Sequence, residues 1–109
     1  MSKRINQVND LIRQELGQII LKEADFINKP LITITKTETS VDCRYSKVFI
    51  TVLPESETKI VIEGLNKNIY SIQKTLDKRL YMRPVPKIRF LLDIQGEKLG
   101  VLDGLFKQL

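Results

Sequence analysis

Apolar residues recur along the chain at two different periods, and each change of period marks out an element. From about Lys3 to Lys22, Ile5, Val8, Ile12, Leu16, Ile19 and Ile20 fall at helical steps on one side, with Leu11 at the margin. Asn6, Gln7, Asn9, Asp10, Arg13, Gln14 and Gln18 occupy the other side. A stripe of that kind predicts a helix lying against a sheet. Asp25, Asn28 and Pro30 mark a loop, after which Leu31–Thr39 is β-rich and alternates, with Ile32 and Ile34 inward. Ser40-Val41-Asp42-Cys43-Arg44 leads to a second alternating run, Tyr45–Leu53, with Val48, Ile50 and Val52 on one face. So short a connection predicts an antiparallel hairpin. Pro54 ends the strand, and Ser56 stands where an N-cap for the next helix is expected.

The helical period then returns. Val61, Leu65, Ile69, Ile72, Leu76 and Leu80 recur at steps of four and three, so one apolar stripe runs from Glu57 to Met82. Gly64, Asn66 and Asn68 are poor helix formers, which predicts a kink between Gly64 and Tyr70 and two helices in tandem. Arg83-Pro84-Val85-Pro86 cannot continue a helix, because proline lacks the amide proton and pushes its predecessor into extended geometry. A third strand, from about Lys87 to Asp93, carries Ile88, Phe90 and Leu92 on one face. Beyond Ile94, Leu99, Leu102, Leu105, Phe106 and Leu109 stand at helical steps. Gly96, Gly100 and Gly104 argue against an independently stable helix there, so residues 95–109 read as a tail or a short terminal helix that a partner could order. The order helix, strand, strand, helix, helix, strand predicts an α+β two-layer sandwich, a three-stranded sheet with helices on one face.

Charge sharpens this picture. A chain of 109 residues is one domain by length. Lys67, Lys74, Lys78, Arg79, Arg83, Lys87 and Arg89 face a single carboxylate, Asp77, within their own stretch. Seven cations less one anion give +6 there, while the whole chain carries +5. Positive charge gathered in one segment points to a polyanion, since Lys and Arg displace counterions from phosphates. These seven residues are the candidate binding face; the bland alternative for each alone is a solvated charge. Arg79 beside Leu80 could instead serve the end of its helix. Arg89 should point away from Phe90 onto an uncovered sheet surface, where Lys36 and Lys47 could join it. Tyr45, Tyr70, Tyr81 and an outward Phe49 are candidates for stacking, against the usual fate of partly buried packing.

Catalysis finds little footing in this sequence. Without histidine there is no imidazole acid–base pair and no imidazole metal ligand. Cys43 has no partner for a nucleophilic dyad, and Asp42, Asp93, Glu97 and Asp103 are scattered near turns. No glycine-rich phosphate-binding motif appears. The expectation is a non-enzyme that needs no cofactor and no metal. One cysteine suits a reducing cytoplasm. No apolar run approaches the roughly 20 residues of a membrane span, and the opening Met1-Ser2-Lys3-Arg4-Ile5-Asn6 lacks a signal-peptide core. A cytoplasmic monomer away from membranes is expected.

The predicted order is also that of type II KH domains, a nucleic-acid-binding fold, and several stretches come closer still. Ser2-Lys3-Arg4-Ile5 leading into Leu11-Ile12-Arg13-Gln14-Glu15-Leu16 resembles the opening helix of bacterial ribosome-binding factor A. Ile32-Thr33-Ile34-Thr35, Ser40-Val41-Asp42 and Ser46-Lys47-Val48-Phe49-Ile50-Thr51-Val52-Leu53 resemble that family's first hairpin. Ile72-Gln73-Lys74-Thr75-Leu76, then Arg83-Pro84-Val85-Pro86-Lys87-Ile88-Arg89-Phe90 and Asp93, are similar to its second half. The resemblance spans about residues 3 to 106 and implies a KH-like RNA-binding domain over residues 1–94 with a C-terminal tail over 95–109. It further implies a non-catalytic assembly factor. Such a factor binds the small ribosomal subunit and its ribosomal RNA during late maturation and 5′ end processing, supports growth in the cold, and is released through an assembly GTPase. Where most KH domains carry Gly-x-x-Gly, this family has an Ala-x-Gly kink; the matching position here is Asn68-Ile69-Tyr70, so the bend is expected at Asn68. A structural ribosomal protein, a generic KH-type RNA binder, or an adapter that docks a partner through its apolar tail are the alternatives.

Overall fold

Two alternating strands joined by a tight turn form the centre of the molecule in the computed structural model, which describes residues 3–23, 26–82 and 84–94. Strand β1 (Leu31–Thr39) pairs antiparallel with β2 (Tyr45–Leu53), and Leu31 stands opposite Leu53. The turn between them is closed by side chains as well as backbone. The Ser40 hydroxyl donates to Asp42 Oδ1 at 2.6 Å and accepts from the amides of Arg44 and Tyr45 at 3.2 and 3.1 Å. The Ser40 hydroxyl bond, followed by the Arg44 amide at 3.1 Å, holds the Asp42 carboxyl below the usual carboxylate range. Cys43 takes a left-handed conformation, φ 60°, to finish the turn.

Alternation along β1 is broken once. The register passes from Ile34 opposite Ile50 to Lys36 opposite Phe49, which leaves Thr35 as a bulge. Strict alternation from Ile32 would have driven Lys36 into the core at a large desolvation cost. The extra residue turns Lys36 outward and Thr37 inward instead. The single Thr35 hydroxyl proton is shared between the Phe49 carbonyl, at 3.2 Å, and the Asp93 carboxylate, so the bulge is tied to β2 and to the residue that follows the third strand.

Helix α1 (Lys3–Glu23) lays its predicted stripe on this hairpin, chiefly over β1, with Ile12 and Leu16 fully buried. After Leu53 a single 3₁₀ turn, Glu55–Glu57, comes before α2 (Thr58–Lys67). Ser56 therefore lies inside the 3₁₀ turn rather than at the N-cap. Glu57 occupies the cap without a side-chain bond to the helix amides, its carboxylate accepting instead from Asn28 Nδ2 at 3.1 Å. The carboxylates of Glu55 and Glu57 stand ahead of the helix, where its dipole favours negative charge. The tandem helix breaks at one residue, Asn68, between α2 and α3 (Ile69–Arg79). Asn68 has φ −96° and ψ 14°, a bridge conformation open to any L-residue, so the left-handed bend allowed for asparagine is not used. Gly64 is not the breaking point. An added Cβ there would lie 2.5 Å from Phe26 Cε1, so the missing side chain seats that ring against α2.

The third strand, β3 (Lys87–Leu92), joins the sheet parallel to β2, giving the order β1-β2-β3. Amide-to-carbonyl bonds of 2.8 Å, Lys87 to Arg44 and Asp93 to Ile50, bracket it. Parallel addition needs a crossover, and α2 with α3 supplies it. Val61, Leu65, Ile72, Leu76 and Leu80 meet Val48, Ile50, Val52, Ile88 and Phe90 in one cluster between the layers. Among the described residues, no helix covers the other face of the sheet. The predicted tail over 95–109, Arg83 and Asp25 lie outside the described residues.

Candidate nucleic-acid interface

Burying one side of each element in a single core forces its charged residues outward, and the six predicted cations among the described residues are thereby sorted. Lys74 and Lys78 stand one turn apart on the exposed side of α3, and Tyr70, four residues before Lys74, is 81% exposed on the same helix face. Tyr81, just past the helix, is fully exposed. Lys67 is exposed at the end of α2. The break at Asn68 removes the continuous helical phase that would align it with Lys74 and Lys78, so its position is that of the joint. Both Lys67 and Lys78 lie in last turns, where they also offset the negative helix ends.

Arg79 is placed differently. Its Nη1 donates to Glu15 Oε1 at 3.1 Å and to Gln18 Oε1 at 3.0 Å, and it is only 28% exposed. It fastens α3 to α1, with its charge matched by a carboxylate.

Lys87 and Arg89 project from the opposite layer. Along β3 exposure alternates, so Ile88 and Phe90 enter the core while Lys87 and Arg89 emerge on the helix-free face of the sheet. The parallel register sets Tyr45 beside Lys87 and Lys47 beside Arg89. Tyr45 is 60% exposed. On the same face Lys36 Nζ lies 4.8 Å from the centroid of the Phe49 ring and 3.4 Å from a Glu38 carboxylate oxygen. Lys36 is thus engaged, and Phe49 is half-covered. The pairing of Lys47 with Arg89 depends on which strand β3 joins and in which direction, and nothing in the local sequence carries that signal. The four-residue step linking Tyr70 with Lys74 and Lys78 was open to reading.

A connection between the two layers also lay hidden. Gln73 on α3 receives the Ile88 amide on its Oε1 at 3.0 Å and donates through Nε2 to the Pro86 carbonyl at 3.0 Å. Its second amide proton goes to Asp77 Oδ1, also at 3.0 Å. The side chain caps the outer edge of β3 where a fourth strand would otherwise pair, and so fixes Lys74 and Lys78 relative to Lys87 and Arg89.

No metal-ligating cluster occurs among the described residues, and none of their helices is long and apolar enough to cross a membrane. A cleft of about 790 Å³ between α1 and β1 is lined by Arg13, Gly17, Leu21, Phe26, Ile32 and their neighbours. Among the described residues its charged lining is cationic, Arg13 and Lys29.

An α+β sandwich of the type II KH kind, with basic residues and tyrosines outside a single core, defines the chain as a KH-like domain. The family model for ribosome-binding factor A matches residues 4–106. The chain is 34% identical to ribosome-binding factor A of Pelagibacter ubique over 99% of its own length and 91% of that protein. It is similar in fold to the crystal structure of ribosome-binding factor A from Thermus thermophilus, at a TM-score of 0.70 and 20% identity, covering 81% of this chain and 94% of that one. A Thermus thermophilus ribosome binding factor A homology model, fitted into a cryo-EM map of a 30S complex, superimposes with a TM-score of 0.62 at 18% identity, over 92% and 98% of the two chains. This chain belongs to the ribosome-binding factor A family.

Proposed function

We propose that the chain is a non-catalytic, cytoplasmic assembly factor that binds the small ribosomal subunit through its ribosomal RNA during late maturation and 5′ end processing. The observation that carries this reading is the division of labour in the segment from Thr58 to Asp93. Its buried apolar residues complete the core, and five of the predicted cations in it, Lys67, Lys74, Lys78, Lys87 and Arg89, are exposed to water around it. A family relative's presence in a 30S complex supports the choice of partner. Binding of this kind needs phosphate contacts and shape, and no group that makes or breaks a bond. Residues 1–94 are the RNA-binding unit in this reading. Release by an assembly GTPase and a role for residues 95–109 in docking belong to it as well.

Sedimentation of tagged protein in cell extract, at low and raised salt, tests the proposal. Co-migration with free small subunits enriched in precursor RNA, and absence from translating ribosomes, is the expected result. A fixed proportion on all ribosomes would make it a structural ribosomal protein. Protein that stays at the top of the gradient at both salts would overturn the ribosomal reading.

A further inference from the structure

The helix-free face of the sheet has the composition of a ligand surface rather than of a solvated one. Tyr45, Lys47 and Phe49 stand on it at successive same-face positions of the central strand, about 7 Å apart. Lys87, Arg89 and Leu91 stand beside them on β3 in register. Lys47 and Arg89 are direct cross-strand neighbours, and like charges placed so are destabilising. The anion across the strand from Lys47 offers limited relief. Glu38 stands opposite Lys47 on β1, but its carboxylate is engaged by Lys36 at 3.4 Å. A fold that keeps Lys47, Lys87 and Arg89 together on an open sheet, next to an exposed tyrosine, is tuned for an anion with a stacking face.

We propose that this face is a second nucleic-acid surface, distinct from the Lys74–Lys78 side of α3, and that it takes an unpaired RNA strand. Tyr45 stacks a base, and Lys47, Lys87 and Arg89 hold successive phosphates. A flat sheet suits splayed single-stranded bases, whereas duplex RNA offers its backbone and grooves. The inference rests on the RNA-binding reading above and names the form of RNA that one face accepts.

The test uses the full chain, a fluorescein-labelled ten-nucleotide single-stranded RNA and a duplex of equal length, with anisotropy read across a salt series. Lys47→Ala with Arg89→Ala should weaken single-strand binding about tenfold or more and flatten the salt slope by about 1.4, the loss of two phosphate contacts. Tyr45→Ala should weaken it at least about fivefold and leave the slope unchanged. Duplex binding should fall mainly in Lys74→Ala with Lys78→Ala. Thermal midpoints should hold or rise for the Lys47 and Arg89 variants, because a repulsive pair is removed; a drop would mark them as structural and overturn the proposal. Unchanged single-strand affinity in both sheet variants would overturn it too. So would sheet variants that lose co-sedimentation with small subunits yet keep single-strand affinity, which would assign the face to an acidic protein. Wild-type protein that binds the oligonucleotide through this face but never sediments with small subunits would refute the ribosomal reading alone.

Discussion

Gln73 joins the two layers through one side chain, and removing it gives the sharpest test of how this fold is held. In Gln73→Ala the Ile88 amide and the Pro86 carbonyl each lose a 3.0 Å partner at the edge of β3. A neutral hydrogen bond contributes about 0.5–1.5 kcal/mol net, and an amide left dry costs about 1–3 kcal/mol. Ile88 itself is only 6% exposed, so water has limited access to its amide. Alanine's better helix propensity offsets a few tenths of a kcal/mol. The expected loss is about 2 kcal/mol, which for a chain of this length lowers the thermal midpoint by about 8 °C. Urea unfolding followed by circular dichroism should show an earlier midpoint with an unchanged slope, and hydrogen exchange should show the Ile88 amide losing protection. Asp77→Ala removes only the outer, exposed bond at 3.0 Å and should cost no more than about 0.5 kcal/mol. A loss under about 0.5 kcal/mol in Gln73→Ala, or an Ile88 amide that exchanges no faster, would refute the edge-capping argument.

Two further changes probe the packing of the helices. A double-mutant cycle on Arg79 and Glu15, about three-quarters buried and 3.1 Å apart, should give a coupling of about 1 kcal/mol. RNA affinity should be nearly unchanged in Arg79→Ala, the reverse of the pattern expected for Lys74→Ala with Lys78→Ala; an affinity loss in Arg79→Ala to match the lysine pair would return it to the binding face. Gly64→Ala would gain about 1 kcal/mol of helix propensity, but its Cβ would meet Phe26 at 2.5 and 2.9 Å, so a net loss of about 1 kcal/mol is expected. In a Phe26→Ala background the same change should become stabilising, and a gain in the wild-type background, read by thermal melts, would refute the seat for the ring.

Elements with strong periodicity were legible in the sequence. The stripe from Ile5 to Ile20, the alternation of Val48, Ile50 and Val52, and the run from Val61 to Leu80 all enter one core, because burying apolar surface is a local demand that repeats at a local period. The tandem break was also legible, since Asn68 and its neighbours are weak helix formers. What escaped were features decided across the sheet. The bulge at Thr35 follows from keeping Lys36 out of the core while Thr35 reaches Phe49 and Asp93, neither of which is near in sequence. Ser56 had a good cap composition, but the chain turned through a 3₁₀ segment first. Arg79 already stood apart from Lys78 as a residue that could serve the end of its helix, but its partner Glu15 comes from α1, sixty-four residues away in sequence.

The same distinction bears on the charge itself. Counted along the sequence, the stretch from Lys67 to Arg89 is one cluster of +6, as if it made one site. In the fold, helical phase puts Lys74 and Lys78 outside the helix layer, while strand phase puts Lys87 and Arg89 outside the sheet layer. Arg79 is neutralised between helices. Between the two groups lies the outer edge of β3, the edge that Gln73 caps. A single rigid duplex cannot lie against both outer faces of a two-layer sandwich at once. A polyanion that engages both must bend round that edge or present two separate elements, one per face. Folded ribosomal RNA, with helices and unpaired segments side by side, is a polyanion of that second kind, whereas a short duplex would reach only one group of cations.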